Sequence, residues 1–443
     1  MGSAPHRPCH ERRRRVSRSA FFPLPNTFSH GFIIITLTIV SLLAGPSAHG
    51  QTMILDQDAI KTIARRKGWA TRMESPTRVI ELRAIVNGIP LYNTTHNADA
   101  ADTISTDECL PGGSSGLGLT GTGVTLGIWD AAAVRTSHQE FGGRATQSDS
   151  ASVTHYHPTH VAGTMIAAGV NAAAAGMSPA ASLDCYDWSL DVIEMINAAT
   201  AGLRVSNHSY GFVLGWAFGD FDNGGTDRWF WFGDVTISTL EDHRFGLYNG
   251  FSQTQDIIAW DHPYYLICRS AGNDRDDDIP VPGTEHLVLI NSEWQGSTDI
   301  RDPDGDYDSL GPRGVPKNVL TIGAVDDIVG GYAGPAGVAM TAYSSWGPTD
   351  DGRIKPDLVA NGVNLFSATD TADIDYTTLS GTSMAAPNVS GSLGVLIQHW
   401  RNTHPTESDM RSATLKGLVR HTADEAGAAD RIVLAQKRIL RSL

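Results

Sequence analysis

The chain is predicted to be an α/β protein built on a mostly parallel sheet with helices on both faces. From Val124 onward, short apolar runs alternate with helix-length amphipathic runs, the pattern of strand–helix–strand units. Behind a run of small residues, Ser380 to Gly391, the residues Val389, Leu393, Leu396, Ile397 and Trp400 recur at helical spacing, which predicts a buried helix. The polar residues of greatest interest stand just past predicted strand ends, where open parallel sheets gather their chemistry.

Residues 51 to about 115 differ from the rest. A charged helical stretch, Asp56 to Lys67, leads into Arg78 to Val86, which alternates as a strand does. Asn87-Gly88 marks a turn, with Ile89 to Tyr92 returning as a second strand. A small-residue helix is expected over Ala98 to Asp107, and the glycine-rich Pro111 to Gly123 reads as a linker. The strands of the main domain are expected at Val124–Trp129, Ala180–Tyr186, Leu203–Ser206, Tyr264–Cys268, Leu287–Ile290 and Val319–Val325, with a helix over Asp191 to Gly202. Ala428 to Leu443 reads as a basic helix.

Composition bounds the address and the partners. Six of the 33 basic residues and one of the 48 acidic residues fall in residues 1–50, leaving 27 against 47. So acidic a surface argues against nucleic acid or an anionic membrane as partner. Arginines at 12 to 18, an apolar run from Gly31 to Gly45 and small residues ending at Gly50 form a secretory signal. The run is shorter than the roughly 20 residues of a membrane-spanning helix. The mature chain is therefore expected to be secreted or periplasmic, with no membrane contact after signal removal. It keeps Cys109, Cys185 and Cys268; the last two sit in apolar strands and are expected as buried thiols.

Four groups carry the chemistry. Asp130 ends the first main-domain strand, and histidines 155, 157 and 160 open a helix. Asn273 follows Ser270-Ala-Gly, while Ser383 opens the buried helix. A carboxylate, a histidine, a serine and a side-chain amide are what acyl transfer through a serine nucleophile requires. Each has a plainer reading. Asp130 could be a turn former, Asn273 could cap the acidic loop behind it, and His157 and His160, three apart, could share a metal.

Taken in order, these segments resemble the subtilisin-like serine peptidases (subtilases), from about Gly121 to Val419. Gly381-Thr-Ser-Met-Ala-Ala-Pro387 is the most specific stretch, and Tyr343 to Pro348 and Lys355 to Ala360 resemble further family landmarks. The resemblance implies a three-layer fold and a serine endopeptidase with Asp130, His157 and Ser383 as its triad. Asn273 would be the oxyanion donor. Ser209 and Gly211 would bind substrate as an added strand, with Ser270, Ala271 and Gly272 as the other wall of the pocket. It implies a polypeptide substrate, chemistry that needs no cofactor, and structural calcium, for which Asn273–Asp278 and Asp302–Asp308 are the candidate runs. The related sedolisin pattern is disfavoured, since His157 and Asn273 stand where it would place carboxylates.

The expected divisions are a signal over 1–50, an N-terminal extension or pro-region over 51–115, and a catalytic domain over 116–443. An aromatic-rich insertion, 212–262, would either extend the pocket or pack onto the domain. Pro158, Ala131 to Ala133 and Asn361 depart from the family pattern. Pro158 and the altered C-terminal run, Ala428 to Leu443, motivate a rival reading, a catalytically silent domain that binds peptides or cell-wall material; the histidine cluster motivates another, a metal-dependent hydrolase.

Overall fold

The computed structural model describes residues 53–425 and 438–439, apart from residues 55, 76–77, 87, 96–100, 277–279, 302–306 and 329–330. The expected signal lies outside the described residues. The main sheet has nine strands in the order Asp424–Glu425, Arg438–Ile439, Leu358–Asn361, Leu320–Val325, Leu266–Ser270, Val205–His208, Thr125–Asp130, Ser182–Asp187 and Ala145–Gln147. All neighbours run parallel except the first pair.

Alternation along the central strands sets the layers. Leu126, Ile128, Leu266 and Cys268 face the helices Tyr156–Ile166 and Thr382–Thr403, meeting Val161, Met165, Ala385 and Val389. Trp129 and Ile267 face the opposite way, onto Met195, Ala198 and Ile258 of the helices Asp191–Ala201 and Gly250–Asp261. The helix Thr382–Thr403 is buried from Thr382 through Val395. A Cβ on Gly391 would lie 2.8 Å from Met177 Cβ and 3.1 Å from Met165 backbone, so a larger residue would push this helix off its neighbours.

The N-terminal segment builds a second sheet. Ile89–Thr95 pairs on one side with Arg78–Val86 and on the other with Tyr210–Phe212, setting Thr94 opposite Gly211. A third, four-stranded sheet runs Trp216–Gly219, Arg228–Trp231, His286–Ile290, Glu293–Ser297. These two share a core: Ile60, Trp69, Leu82 and Tyr92 pack with Ala217, Phe221, Phe230 and Phe232. The aromatics expected over 212–262 thus largely serve as packing. The second half of that range, Gly250–Asp261, is a helix on the main sheet.

Several expectations are corrected. Leu287–Ile290 is a strand, but in the third sheet, where it forms a hairpin with Glu293–Ser297. Among the described residues between Ser270 and His286 no helix returns the chain to the main sheet in parallel. The described part of Ala98–Asp107 holds only a short 3₁₀ turn, Asp102–Ile104, before the next one at Asp107–Cys109. The glycine-rich stretch is anchored rather than loose: Leu119 packs on Val395, and the Thr120 and Gly121 N–H groups donate to Gln398 Oε1 at 2.8 and 2.7 Å. Arg438–Ile439 is a strand opposite Val359 rather than helix; the remainder of the predicted C-terminal helix lies outside the described residues. Cys109, Cys185 and Cys268 are buried free thiols.

Candidate active site

Three adjacent parallel strands deliver their carboxyl ends to one rim. Asp130 is the last residue of Thr125–Asp130, Ser209 follows Val205–His208, and Ser270 closes Leu266–Ser270 ahead of Asn273. The two helices over that rim begin there as well, with His157 second in Tyr156–Ile166 and Ser383 second in Thr382–Thr403.

Asp130 and His157 are fully buried and joined, His157 Nδ1 to Asp130 Oδ1 at 2.6 Å. The same carboxylate oxygen accepts from the Ala131 N–H at 2.7 Å, fixing the Asp130 rotamer. No positive φ occurs at Ala131 to Ala133, so alanine costs nothing in this turn. Pro158 falls in the first helical turn, where a missing N–H breaks no intrahelical bond, and the pair forms despite it.

The three clustered histidines have separate tasks. His155 caps the helix, accepting from the His157 N–H at 3.2 Å. His160 is buried and meets the Leu365 carbonyl through Nε2 at 2.9 Å. Burial pushes its pKa down to about 3, leaving it neutral. Among the described residues, no three His, Cys, Asp or Glu side chains converge as a metal site would require. Residues 277–278 and 302–306 of the two acidic runs lie outside the described residues.

Ser383 is held by its own helix chemistry. Gly381, the N-cap, has φ 147°, a backbone that side chains disfavour. Pro387 has no N–H, so the Ser383 carbonyl four residues back lacks its usual helical donor. The Ser209 hydroxyl takes that place, donating to Ser383 O at 2.6 Å. In return Ser383 Oγ donates to the Ser209 carbonyl at 2.9 Å. Ser209 is steadied by Asn207 Nδ2 at 2.9 Å, and Ser390 Oγ donates to Asn207 Oδ1 at 3.1 Å. Sequence reasoning missed this brace, although the proline four residues after the serine was its signal.

Asn273 is oriented by Thr382. Its Oδ1 accepts from the Thr382 N–H at 3.0 Å and from Thr382 Oγ1 at 2.9 Å. With the oxygen so engaged, the NH₂ is the group left to donate, beside the N-terminus of the serine helix. Asn361, the third departure, is fully used: Nδ2 donates to Asp327 at 2.8 Å, Oδ1 accepts from the Val363 N–H at 2.7 Å, and its carbonyl accepts from Asn388 on the serine helix at 3.1 Å.

A cavity opens beside these groups. Gly211 and Phe212 form one side and Ser270 to Gly272 the other, with Asp274 and Arg313 bringing charge to it. The edge of Tyr210–Phe212 expected to take substrate is paired here with Asn93–Thr95.

A model of the subtilase family matches residues 94–436. C5a peptidase of Streptococcus pyogenes is 37% identical over 90 residues, 20% of this chain and 7% of that protein. Serine protease AprX of Bacillus subtilis is 34% identical over 114 residues, 23% of this chain and 25% of that protein. The matched stretches thus span a quarter or less of these relatives. Among solved structures, sphericase aligns over 73% of this chain and 93% of its own, at 18% identity and a TM-score of 0.46. With the family model covering residues 94–436 of 443, the chain belongs to the subtilase family.

Proposed function

We propose that the protein is a secreted serine endopeptidase that hydrolyses polypeptides through an acyl-enzyme. The observation that carries this is the buried Asp130–His157 pair, 2.6 Å long, at the rim where the Ser383 helix begins. In this reading His157 removes the Ser383 proton as Oγ attacks the substrate carbonyl, then returns it to the leaving amine. Asp130 holds the ring's tautomer through Nδ1 and stabilises the imidazolium. The Asn273 NH₂ and the helix N-terminus face the oxyanion of the tetrahedral intermediate. Before attack, Ser383 Oγ gives up its bond to the Ser209 carbonyl. These steps draw on side chains and backbone alone.

Secretion rests on the charge and apolar pattern of residues 1–50; among the described residues no helix is long and apolar enough to cross a membrane. For residues 51–115 the better reading is a standing part of the molecule. The core it shares with the insertion supports that. So do contacts beside the triad: Arg72 Nη1 donates to Ala131 O at 3.2 Å, and Trp188 Nε1 to Glu81 Oε2 at 2.6 Å. Asn93–Thr95 lies on the edge expected to take substrate, so an extended peptide must displace it before pairing there.

Fluorophosphonate labelling tests the reading. Ser383 is expected to be modified, and the modification lost in Ser383→Ala. Folded wild-type protein that resists the reagent would favour the silent peptide-binding domain instead.

A further inference from the structure

Arg313 is buried, 6% exposed, yet it lines the cavity between Gly211–Phe212 and Ser270–Gly272. Its Nη1 donates to Asp191 Oδ2 at 2.8 Å. Among the described residues its Nε has no hydrogen-bond partner although the atom is buried. The guanidinium is clamped between rings, 5.0 Å from the Tyr210 centroid and 4.7 Å from that of Phe212. An arginine so fixed keeps its planar fork in one orientation, and an unfilled buried donor is costly unless something completes it.

The charges beneath the cavity do not balance. Arg269 is fully buried 4.9 Å over the Tyr210 ring, its Nε donating to Gln255 Oε1. Asp191 faces both guanidiniums, so two cations share one carboxylate. His208 adds no charge, because burial holds its pKa well below the ordinary value. Asp274 opposes this from the cavity rim, accepting from Ser345 Oγ at 3.0 Å. It is only half-buried, and water screens a charge there far more than one sealed among aromatic rings.

We propose that Arg313 makes this cavity selective for a carboxylate side chain, glutamate or aspartate, on the substrate residue whose carbonyl is attacked. The proposal rests on the peptidase reading and adds its substrate class. A carboxylate completes the unfilled fork and offsets the surplus cation. A lysine or arginine would bring a third cation against Arg313, and an apolar side chain would leave the fork unpaired.

Single-residue diphenyl phosphonate probes carrying Glu, Gln, Leu or Lys side chains test this on the full chain, read as the rate of Ser383 modification. Such probes need no added-strand pairing, so Asn93–Thr95 does not obstruct them. The Glu probe is expected to react about 10- to 100-fold faster than its isostere Gln, the range for a hydrogen bond to a charged group. In Arg313→Met that ratio falls toward one, while Arg313→Lys keeps part of it. The wild-type ratio decides the matter even if a variant fails to fold. Equal Glu and Gln rates, or a faster Leu or Lys probe, in protein that the plain fluorophosphonate labels would overturn the inference alone. Failure of every reagent would overturn it together with the peptidase reading.

Discussion

Among the described residues, Thr382 supplies both hydrogen bonds that fix the Asn273 amide, its hydroxyl also accepts from the Gly272 N–H at 3.2 Å, and it directly precedes Ser383. Asn273→Ala is expected to lower kcat by about 10²–10³-fold, the cost measured for the oxyanion asparagine of subtilisin, with KM nearly unchanged. Steady-state kinetics on a peptide substrate would check it; a rise in KM alone would show uniform substrate binding instead. Asn273 was legible as a candidate because the family's motif places it just past a strand end. Arg313 was not. It stands in Gly-Pro-Arg-Gly, a string with no motif, and its role comes from Asp191, 122 positions away, and from rings on two other elements.

At the scale of the element, the serine helix carries a deliberate gap in its hydrogen bonding. Pro387 opens it and the Ser209 hydroxyl closes it, so the brace joins a strand end to the peptide unit of Ser383. Ser209→Ala would remove this donor from the buried Ser383 carbonyl and is expected to destabilise the fold by about 1–3 kcal/mol. Denaturant titration would detect this as a lower midpoint at unchanged slope. Ser209→Thr, which keeps the hydroxyl, should restore most of it. The proline was visible in the sequence as a helix departure; the hydroxyl that answers it was not, because a residue 174 positions upstream supplies it.

Across the whole molecule, the main sheet and the strands Arg78–Val86 and Ile89–Thr95 followed from periodicity, while the joining of those strands to the insertion did not. Strand–helix alternation has a local signature, so Thr125–Asp130, Leu266–Ser270 and Leu320–Val325 fall within a residue or two of expectation. The shared core joins Trp69 and Tyr92 to Phe221 and Phe230, and no local pattern marks such distant partners. Leu287–Ile290 looks like any buried strand until its neighbours are known. Trp69→Ala is expected to cost about 3–5 kcal/mol. Hydrogen exchange should then quicken together in 89–95 and 228–231, while 125–130 and 266–270 stay protected. Loosening confined to the N-terminal segment would mean that the two sheets do not form one cooperative unit.

That union of early and late residues bears on synthesis. A ribosome that has released Ile60, Trp69, Leu82 and Tyr92 must still translate beyond Phe232 before their apolar partners emerge. That stretch of chain therefore waits with its hydrophobic side chains uncovered, open to chaperones during translation, and completes its fold only with the residues that follow it.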